Sequence, residues 1–221
     1  ALLFGCTGVC KSADFQKGLT AYQSGDYATA LREWTPLAEQ GNAEVQHLVG
    51  FIYRNGLGVT QNFKTAVKWY KLSAAQKYAS AQFNLGTMYR NGLGVQKNNR
   101  TAVKWYRLAA KQGNASAQSN LGLMYAGGLG VPKNYKTAVR WWTLAAQQGK
   151  ASAQFNLGAV YAEGKGVPQD YKTAVKWYRL AAEQGYALAQ YRLGLMYRKG
   201  QGVPQEDKTA VKWYRFSAEQ G

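Results

Sequence analysis

A stretch of 36 residues recurs five times in this chain, from residue 42 onward. The copies begin at Asn42, Tyr78, Asn114, Lys150 and Tyr186. Each copy ends on A-V-K-W-Y-x-x-x-A-x-Q or a close variant of that run. A period of this length predicts a solenoid, in which stacked repeats bury their apolar faces against one another. The repeats therefore favour a binding scaffold over an enzyme with one deep pocket.

The third repeat, residues 114–149, shows the order of elements that every copy shares. Its first helix is predicted from apolar and small residues spaced by four, three and one, at Ala117, Leu121, Met124 and Tyr125. Gly127, Gly128 and Gly130 are expected to end that helix, because glycine accepts the left-handed conformation of a C-cap. Asn134 is expected to cap the second helix, with Trp141 and Trp142 on its buried face. We expect truncation of Trp105, Trp141 or Trp177 to alanine to cost about 3–5 kcal/mol each.

A shorter segment, residues 14–41, precedes the five copies. Its small and apolar residues match the spacing of one tetratricopeptide unit, at Gly18, Ala21, Tyr27, Ala30, Trp34 and Leu37. The run S-G-D-Y stands in place of the long glycine loop. We predict an N-terminal capping hairpin here.

Residues 1–13 are small and apolar at their start, unlike the repeats, and resemble the end of a secretory signal. Processing at Cys6 would match a bacterial lipoprotein box, whereas processing after Ala13 would leave Asp14 first. A buried N-terminal strand or helix turn is the structural alternative. Cys6 and Cys10 both lie in this segment, so the repeats contain no disulfide. We therefore expect an exported protein, periplasmic or associated with the outer membrane, rather than a cytoplasmic one.

The charge of the chain is strongly positive, with 28 Lys and Arg against 11 Asp and Glu. No acidic residue occurs between Val45 and Ala162. Such a field attracts acidic proteins, anionic polymers or anionic lipid headgroups. The alternative is a solvated repeat surface, since the basic residues are dispersed over all the repeats.

The shared pattern of the copies is A-x-A-Q-x-x-L-G-x-M-Y-x-x-G-x-G-V-P-x-x-Y-x-x-A-V-x-W-Y-x-x-A-A-x-Q-G. It resembles the Sel-one-like repeat (SLR) family, a relative of the tetratricopeptide repeats. The resemblance covers residues 42–221 and implies an all-α fold, a right-handed α/α superhelical solenoid. It also implies an adaptor or scaffold for protein complexes, and bacterial members are often secreted or periplasmic. Family members with a disulfide in each repeat differ from this chain.

In tetratricopeptide-like superhelices the first helix of each repeat lines the concave face. The side of that helix opposite the apolar residues should then meet a protein or peptide, and the arginines among these positions would suit an acidic one. We call these positions the first-helix face: His47, Phe51, Arg54, Phe83, Thr87, Arg90, Ser119, Leu123, Phe155, Tyr191, Leu195 and Arg198. They vary between repeats while the core positions hardly change. The pattern indicates side chains that packing does not require, although unconstrained positions would vary in the same way.

The second helices carry a repeated basic series on the side opposite their small and aromatic residues. We call it the second-helix ladder: Lys64, Lys68, Lys71, Arg100, Lys104, Arg107, Lys136, Arg140, Lys172, Lys176, Arg179, Lys208, Lys212 and Arg215. This convex row could bind an anionic envelope lipid or polymer, or it could be a solvated outer face. Nucleic acid is disfavoured, because the neighbouring Trp and Tyr should point inward rather than stack on bases.

The sequence offers no constellation for catalysis. His47 is the only histidine and has no cysteine near it, so no metal site is expected. The G-L-G loops lie between helices rather than after a strand, which excludes a dinucleotide-binding turn. The motifs S-x-x-K, S-D-N and K-T-G of β-lactam-binding enzymes do not occur. We therefore expect a protein that is not an enzyme and needs no cofactor, and its oligomeric state stays open.

Overall fold

The computed structural model of the chain describes residues 14–220, so the predicted leader with Cys6 and Cys10 lies outside the described part. Within that part the backbone forms twelve helices and no strand. The helices are α1 (Phe15–Gln23), α2 (Tyr27–Glu39), α3 (Ala43–Asn55), α4 (Phe63–Ala75), α5 (Ala79–Asn91), α6 (Asn99–Lys111), α7 (Ala115–Gly127), α8 (Tyr135–Gln147), α9 (Ala151–Glu163), α10 (Tyr171–Glu183), α11 (Ala187–Lys199) and α12 (Asp207–Ala218). None of these helices has the length and hydropathy that crossing a membrane requires.

The chain divides into two compact units. The first contains residues 14–81 together with Leu93–Val95, and it packs α1 to α4 consecutively. The second contains Gln82–Gly92 and the residues from Gln96 onward, and it packs α6 to α12 consecutively. In both units a helix contacts the helices before and after it in sequence, as expected of repeats that bury their faces on their neighbours.

The second helices begin at a repeated cap. Asn134 accepts a hydrogen bond from the backbone N–H of Thr137 over 2.8 Å, as the sequence predicted. The same Asn-x-x-Thr or Asp-x-x-Thr cap starts α4, α6 and α10. At the end of the first helix of the third repeat, Gly128 adopts φ 67° and is the left-handed C-cap, whereas Gly127, which was also expected to end the helix, is its last helical residue.

A glycine on each first helix makes room for an aromatic ring of the second helix. An added Cβ on Gly122 would lie 2.5 Å from Cδ1 of Trp142, closer than any real carbon contact. Trp142 is 3% exposed and its indole N–H donates to the carbonyl of Ser119 over 3.1 Å. Tyr106 and Tyr178 occupy the same position in α6 and α10 and are also buried. The close helix–helix approach therefore depends on this glycine and ring pair.

The expectation that Trp105, Trp141 and Trp177 are core anchors was wrong in its choice of residue. All three are half-buried, whereas the next residue along each helix is buried. Trp141 packs at the edge of the cluster formed by α6 and α7 rather than inside its own helix pair. The reason is helical geometry, because consecutive residues point about 100° apart and only one of two can face the glycine.

Candidate partner-binding site

The first repeat contributes three half-buried residues to the first-helix face, all on α3: His47, Phe51 and Arg54. The His47 imidazole packs against Tyr70 at 5.8 Å and Tyr78 at 5.3 Å between ring centroids. Burial lowers the pKa of His47 to about 4, so the ring is neutral at pH 7. Burial likewise raises the pKa of Tyr70 to about 12, while the positive charge of nearby Arg54 opposes that shift.

The second repeat places Phe83, Thr87 and Arg90 on the same side of α5, and all three are half-buried. The Phe83 ring packs on the buried Tyr106 at 5.9 Å between centroids. Thr87 Oγ1 lies 3.2 Å from the Tyr106 hydroxyl, so the two groups share a hydrogen bond. These residues thus form a surface whose inner side is held by Tyr106.

Ser119 corrects the prediction for the third repeat. Its side chain is 2% exposed and its Oγ lies 3.1 Å from Oγ of Ser152 in α9. A residue buried in this way cannot contact a ligand, so the first-helix face is interrupted here. Leu123, one turn further along α7, is half-buried and belongs to the surface.

The fourth and fifth repeats continue the surface on α9 and α11. Phe155 packs between Tyr178 at 5.8 Å and Tyr186 at 5.3 Å. Tyr191 packs on Tyr214 at 5.7 Å and is 48% exposed. The remaining residues of the prediction are Leu195, which is half-buried, and Arg198, which is exposed.

The idea that packing does not require these positions therefore needs correction. The rings of Phe83, Phe155 and Tyr191 each contact an aromatic residue of the second helix with one side. They vary between repeats because several ring types satisfy that contact, not because the contact is absent. What remains open to a partner is the exposed part of each ring, which is largest for Tyr191 and smaller for the half-buried Phe83 and Phe155.

The second-helix ladder is exposed at its central positions, including Lys104, Arg140 and Lys176. Two members of the ladder also bind the following repeat, and of these Arg107 is half-buried whereas Arg179 stays exposed. Arg107 donates to the hydroxyl of Tyr125 over 2.9 Å, and Arg179 donates to the hydroxyl of Tyr197 over 2.8 Å. These arginines link neighbouring repeats, and the ladder is narrower than the sequence pattern indicated.

An apolar row beside the ladder was missed by the sequence reasoning. Leu108, Leu144 and Leu180 are 46%, 45% and 44% exposed. Each lies four residues after a basic residue of the ladder, so one helical turn separates the two. The sequence does contain a signal for this row, because a leucine recurs in the second helices at a position where the helix faces water.

Among residues 14–220 no group of three or more His, Cys, Asp or Glu side chains is arranged to hold a metal ion. The acidic residues of that part lie mostly near its two ends, and Glu33 pairs with Lys17 in the N-terminal hairpin.

Comparison with known proteins places these features in a family. The Sel1 repeat model matches residues 43–78, 79–114, 115–150, 151–186 and 187–221. A Sel1 repeat protein from Oxalobacter formigenes is 38% identical, with a TM-score of 0.89 over 96% of this chain and 84% of that chain. No curated protein matches the chain.

Two further solved structures are similar. The protein c5321, a protective antigen present in uropathogenic Escherichia coli strains that displays an SLR fold, is 36% identical with a TM-score of 0.88. That match covers 96% of this chain and 47% of the antigen. The immunity protein Pa5087 from Pseudomonas aeruginosa is 21% identical with a TM-score of 0.60, over 93% of this chain and 82% of that one, and shares the fold alone.

Proposed function

Because this chain belongs to the Sel1 repeat family, whose solenoids generally serve protein–protein interaction, we propose that it is a non-enzymatic adaptor that binds a protein or peptide through the first-helix face. The all-α repeat solenoid expected from the sequence is confirmed by the twelve described helices and by the match to solved SLR structures. The choice of face and of ligand is the proposal.

The observation that supports this face is that neighbouring aromatic residues hold its rings in place. Phe155 is held between Tyr178 and Tyr186, and Phe83 is held on Tyr106. A ring that is already ordered loses little conformational entropy on binding, so its exposed part supplies apolar contact at low cost. Arg90, one turn from Thr87 on α5, adds a positive charge to this surface. The partner that suits it has apolar side chains and acidic groups.

The test is a pull-down from native extract with the full chain as bait, eluted in a salt gradient. The binding variant combines Phe83→Ala, Arg90→Ala and Phe155→Ala. A matched control removes three exposed charges of the ladder, Lys104→Ala, Arg140→Ala and Lys176→Ala. A discrete protein that is retained at moderate salt, lost by the first variant and kept by the control would support the proposal. Circular dichroism of both variants checks that they fold.

A second candidate function uses the ladder instead, and the exposed leucine row favours it. A half-exposed leucine follows four residues after each of Lys104, Arg140 and Lys176. The surface of these helices thus combines positive charge with apolar area, as binding to an anionic glycolipid requires. In that case the same pull-down would yield only an anionic polymer or lipid. It would be released at low salt, lost by the ladder variant and unaffected by the variant of the first-helix face.

We also propose that the protein acts outside the cytoplasm, on the strength of the apolar segment of residues 1–13. Mass spectrometry of the protein purified from its own cells would test this. A lipid-modified Cys6 or a first residue at Asp14 would support export, whereas an intact leader in the cytoplasmic fraction would contradict it.

A further inference from the structure

A cavity of about 180 Å³ lies in the second compact unit, between the C-terminal part of α9 and the body of α11. It is lined by Ala162, Glu163, Tyr171, Tyr178, Arg192, Leu195, Met196, Lys199 and Gln201. Leu195 belongs to the first-helix face, so the cavity opens beside the surface proposed for a partner. We call it the Tyr178 cavity.

Tyr178 lies on this cavity with its side chain 3% exposed. Its hydroxyl makes no hydrogen bond to any residue among 14–220. The equivalent residue two repeats earlier, Tyr106, has its hydroxyl next to Oγ1 of Thr87 at 3.2 Å. Alanine stands at the position of Thr87 in the fourth repeat, at Ala159. The Tyr178 hydroxyl therefore lacks the partner that Tyr106 has, since a threonine stands at this position only in the second repeat.

The cavity is open for a similar reason, because the fourth repeat has a small residue where two other repeats have a long side chain. Ala162 occupies the position that Arg54 and Arg90 hold in the first and second repeats. In the first repeat the charge of Arg54 acts on the buried Tyr70. The fourth repeat thus keeps the buried tyrosine but lacks the long cationic side chain beside it. An external group can take the place of those atoms.

The positive charge comes from the next helix instead. Arg192 and Lys199 line the cavity from α11, and both are exposed. Arg192 stands where the second to fourth repeats have asparagine, so this charge is particular to the fifth repeat. Glu163, the one acidic residue in the lining, forms an ion pair with Lys165 over 2.6 Å. The cavity therefore carries a net positive charge.

The phenol remains a donor under ordinary conditions. Burial raises the pKa of Tyr178 to about 12, with the charge of Arg192 opposing the shift and that of Glu163 adding to it. Both charges act on the hydroxyl because they lie close to it. A neutral O–H beside a guanidinium suits an acceptor that is itself negatively charged.

We propose that the Tyr178 cavity binds a carboxylate group of the peptide partner. The Tyr178 hydroxyl donates a hydrogen bond to one oxygen, and Arg192 and Lys199 supply the compensating charge. A volume of about 180 Å³ is large enough to admit a carboxylate and a short stem. This inference rests on the proposed function, because it names an anchor for the ligand of the same surface.

The test uses three tetrapeptides that differ only in where a carboxylate stands. One has a free C-terminal carboxylate and no acidic side chain, the second is its C-terminal amide, and the third is that amide with one internal Glu. Binding to the full chain is followed by NMR through the backbone amides of Ala162 and Leu195, up to about 10 mM peptide. We expect shifts with the first or the third peptide and none with the second. A response to the first peptide identifies a C-terminal carboxylate as the ligand, and a response to the third identifies a Glu side chain.

Substitutions test whether the acidic peptide binds in this cavity. Tyr178→Phe and Arg192→Gln should each weaken the acidic peptide about tenfold, since each removes a bond to a charged acceptor. Ala162→Leu should abolish binding, because the larger apolar side chain fills the cavity without adding a charge that could pair with a carboxylate. Tyr22→Phe is the matched control and should leave the affinity unchanged, because Tyr22 packs on Tyr27 and Trp34 in the N-terminal hairpin and lines no part of the cavity.

The outcomes separate this inference from the proposed function. Equal shifts with all three peptides, no shifts with any, or full affinity in Tyr178→Phe would overturn the cavity proposal. If the natural partner is also lost by the Phe83, Arg90 and Phe155 variant, the proposed function stands without the cavity. If acidic peptides bind as expected but that variant retains the natural partner, the cavity stands and the first-helix face is wrong as the main binding surface.

Discussion

The side-chain amide of Gln148 donates a hydrogen bond to Oε1 of Gln118 over 2.8 Å, joining the end of α8 to the start of α7. Gln118 is 4% exposed, and its own amide donates to the carbonyl of Ala110 in the preceding repeat over 3.2 Å. One buried glutamine thus connects the two helices of its repeat to the repeat before. The pair recurs as Gln184–Gln154 and Gln220–Gln190. The arrangement satisfies polar groups that burial would otherwise leave unpaired.

Replacing Gln118 by leucine should destabilise the protein by about 1–3 kcal/mol. The substitution keeps most of the volume but removes the partners of the Ala110 carbonyl and of the Gln148 amide. Urea unfolding followed by circular dichroism measures the change. Gln147→Leu is the matched control, because Gln147 is exposed on the same repeat and should change stability little. Equal stability of the two variants would contradict a structural role for the glutamine pair.

Gly122→Ala should destabilise the protein by about 1–3 kcal/mol, because the added methyl overlaps the Trp142 indole and forces α7 and α8 apart. Gly127→Ala on the same helix is the control. There a Cβ would approach no atom closer than 3.3 Å, on the flexible Leu129 side chain, and φ is not left-handed. That control should change stability by less than about 1 kcal/mol, in the stabilising direction that helix propensity predicts. Thermal unfolding of both variants distinguishes the cases.

The periodicity of the sequence predicted the helices and their caps because those features depend on nearby residues. Asn134 and Gly128 act within one turn of their own helix, and both were assigned correctly. Ser119 and Arg107 were misplaced because their surroundings come from the following repeat, through Ser152 and Tyr125. A pattern within one repeat cannot show which side chain of its neighbour fills the adjacent space.

The Tyr178 cavity was missed for a related reason. Its opening depends on an alanine at residue 162, which the sequence presents as an ordinary helix residue. Its charge comes from Arg192, one repeat later. Comparison of equivalent positions would have shown that Arg192 replaces asparagine, but only the packing brings it to the tyrosine.

The two adjacent tryptophans of α8 should respond differently to truncation. Trp142→Ala should cost about 3–5 kcal/mol, since it empties a buried site and removes the bond to the Ser119 carbonyl. Trp141→Ala should cost about 1–2 kcal/mol, because that ring is half-buried at the edge of a cluster. Urea unfolding of both variants gives the comparison. A larger loss for Trp141 would restore the expectation drawn from the sequence and contradict the assigned packing.

The stability of the protein should fall as the pH decreases from about 6.5 to about 4, partly through His47. Burial lowers the pKa of His47 from 6.5 to about 4, so in this interval the unfolded chain binds a proton that the folded chain does not. Folding is therefore favoured fully above pH 6.5, and that contribution is lost as the pH falls toward 4. A shift of this size corresponds to about 3–4 kcal/mol.

His47→Phe isolates this contribution from the carboxylates that also titrate in acid. Phenylalanine should fit the site, because Phe83 and Phe155 occupy the same position in two other repeats and make the same ring contact. The free energy of unfolding, measured in urea at several pH values, should then decline less steeply between pH 6.5 and 4 than in the wild type. Asp26, Glu33 and Asp170, whose pKa values are lowered by hydrogen bonds, are common to both proteins and cancel in the difference. Parallel curves for the two proteins would mean that His47 accepts its proton without leaving its place between Tyr70 and Tyr78.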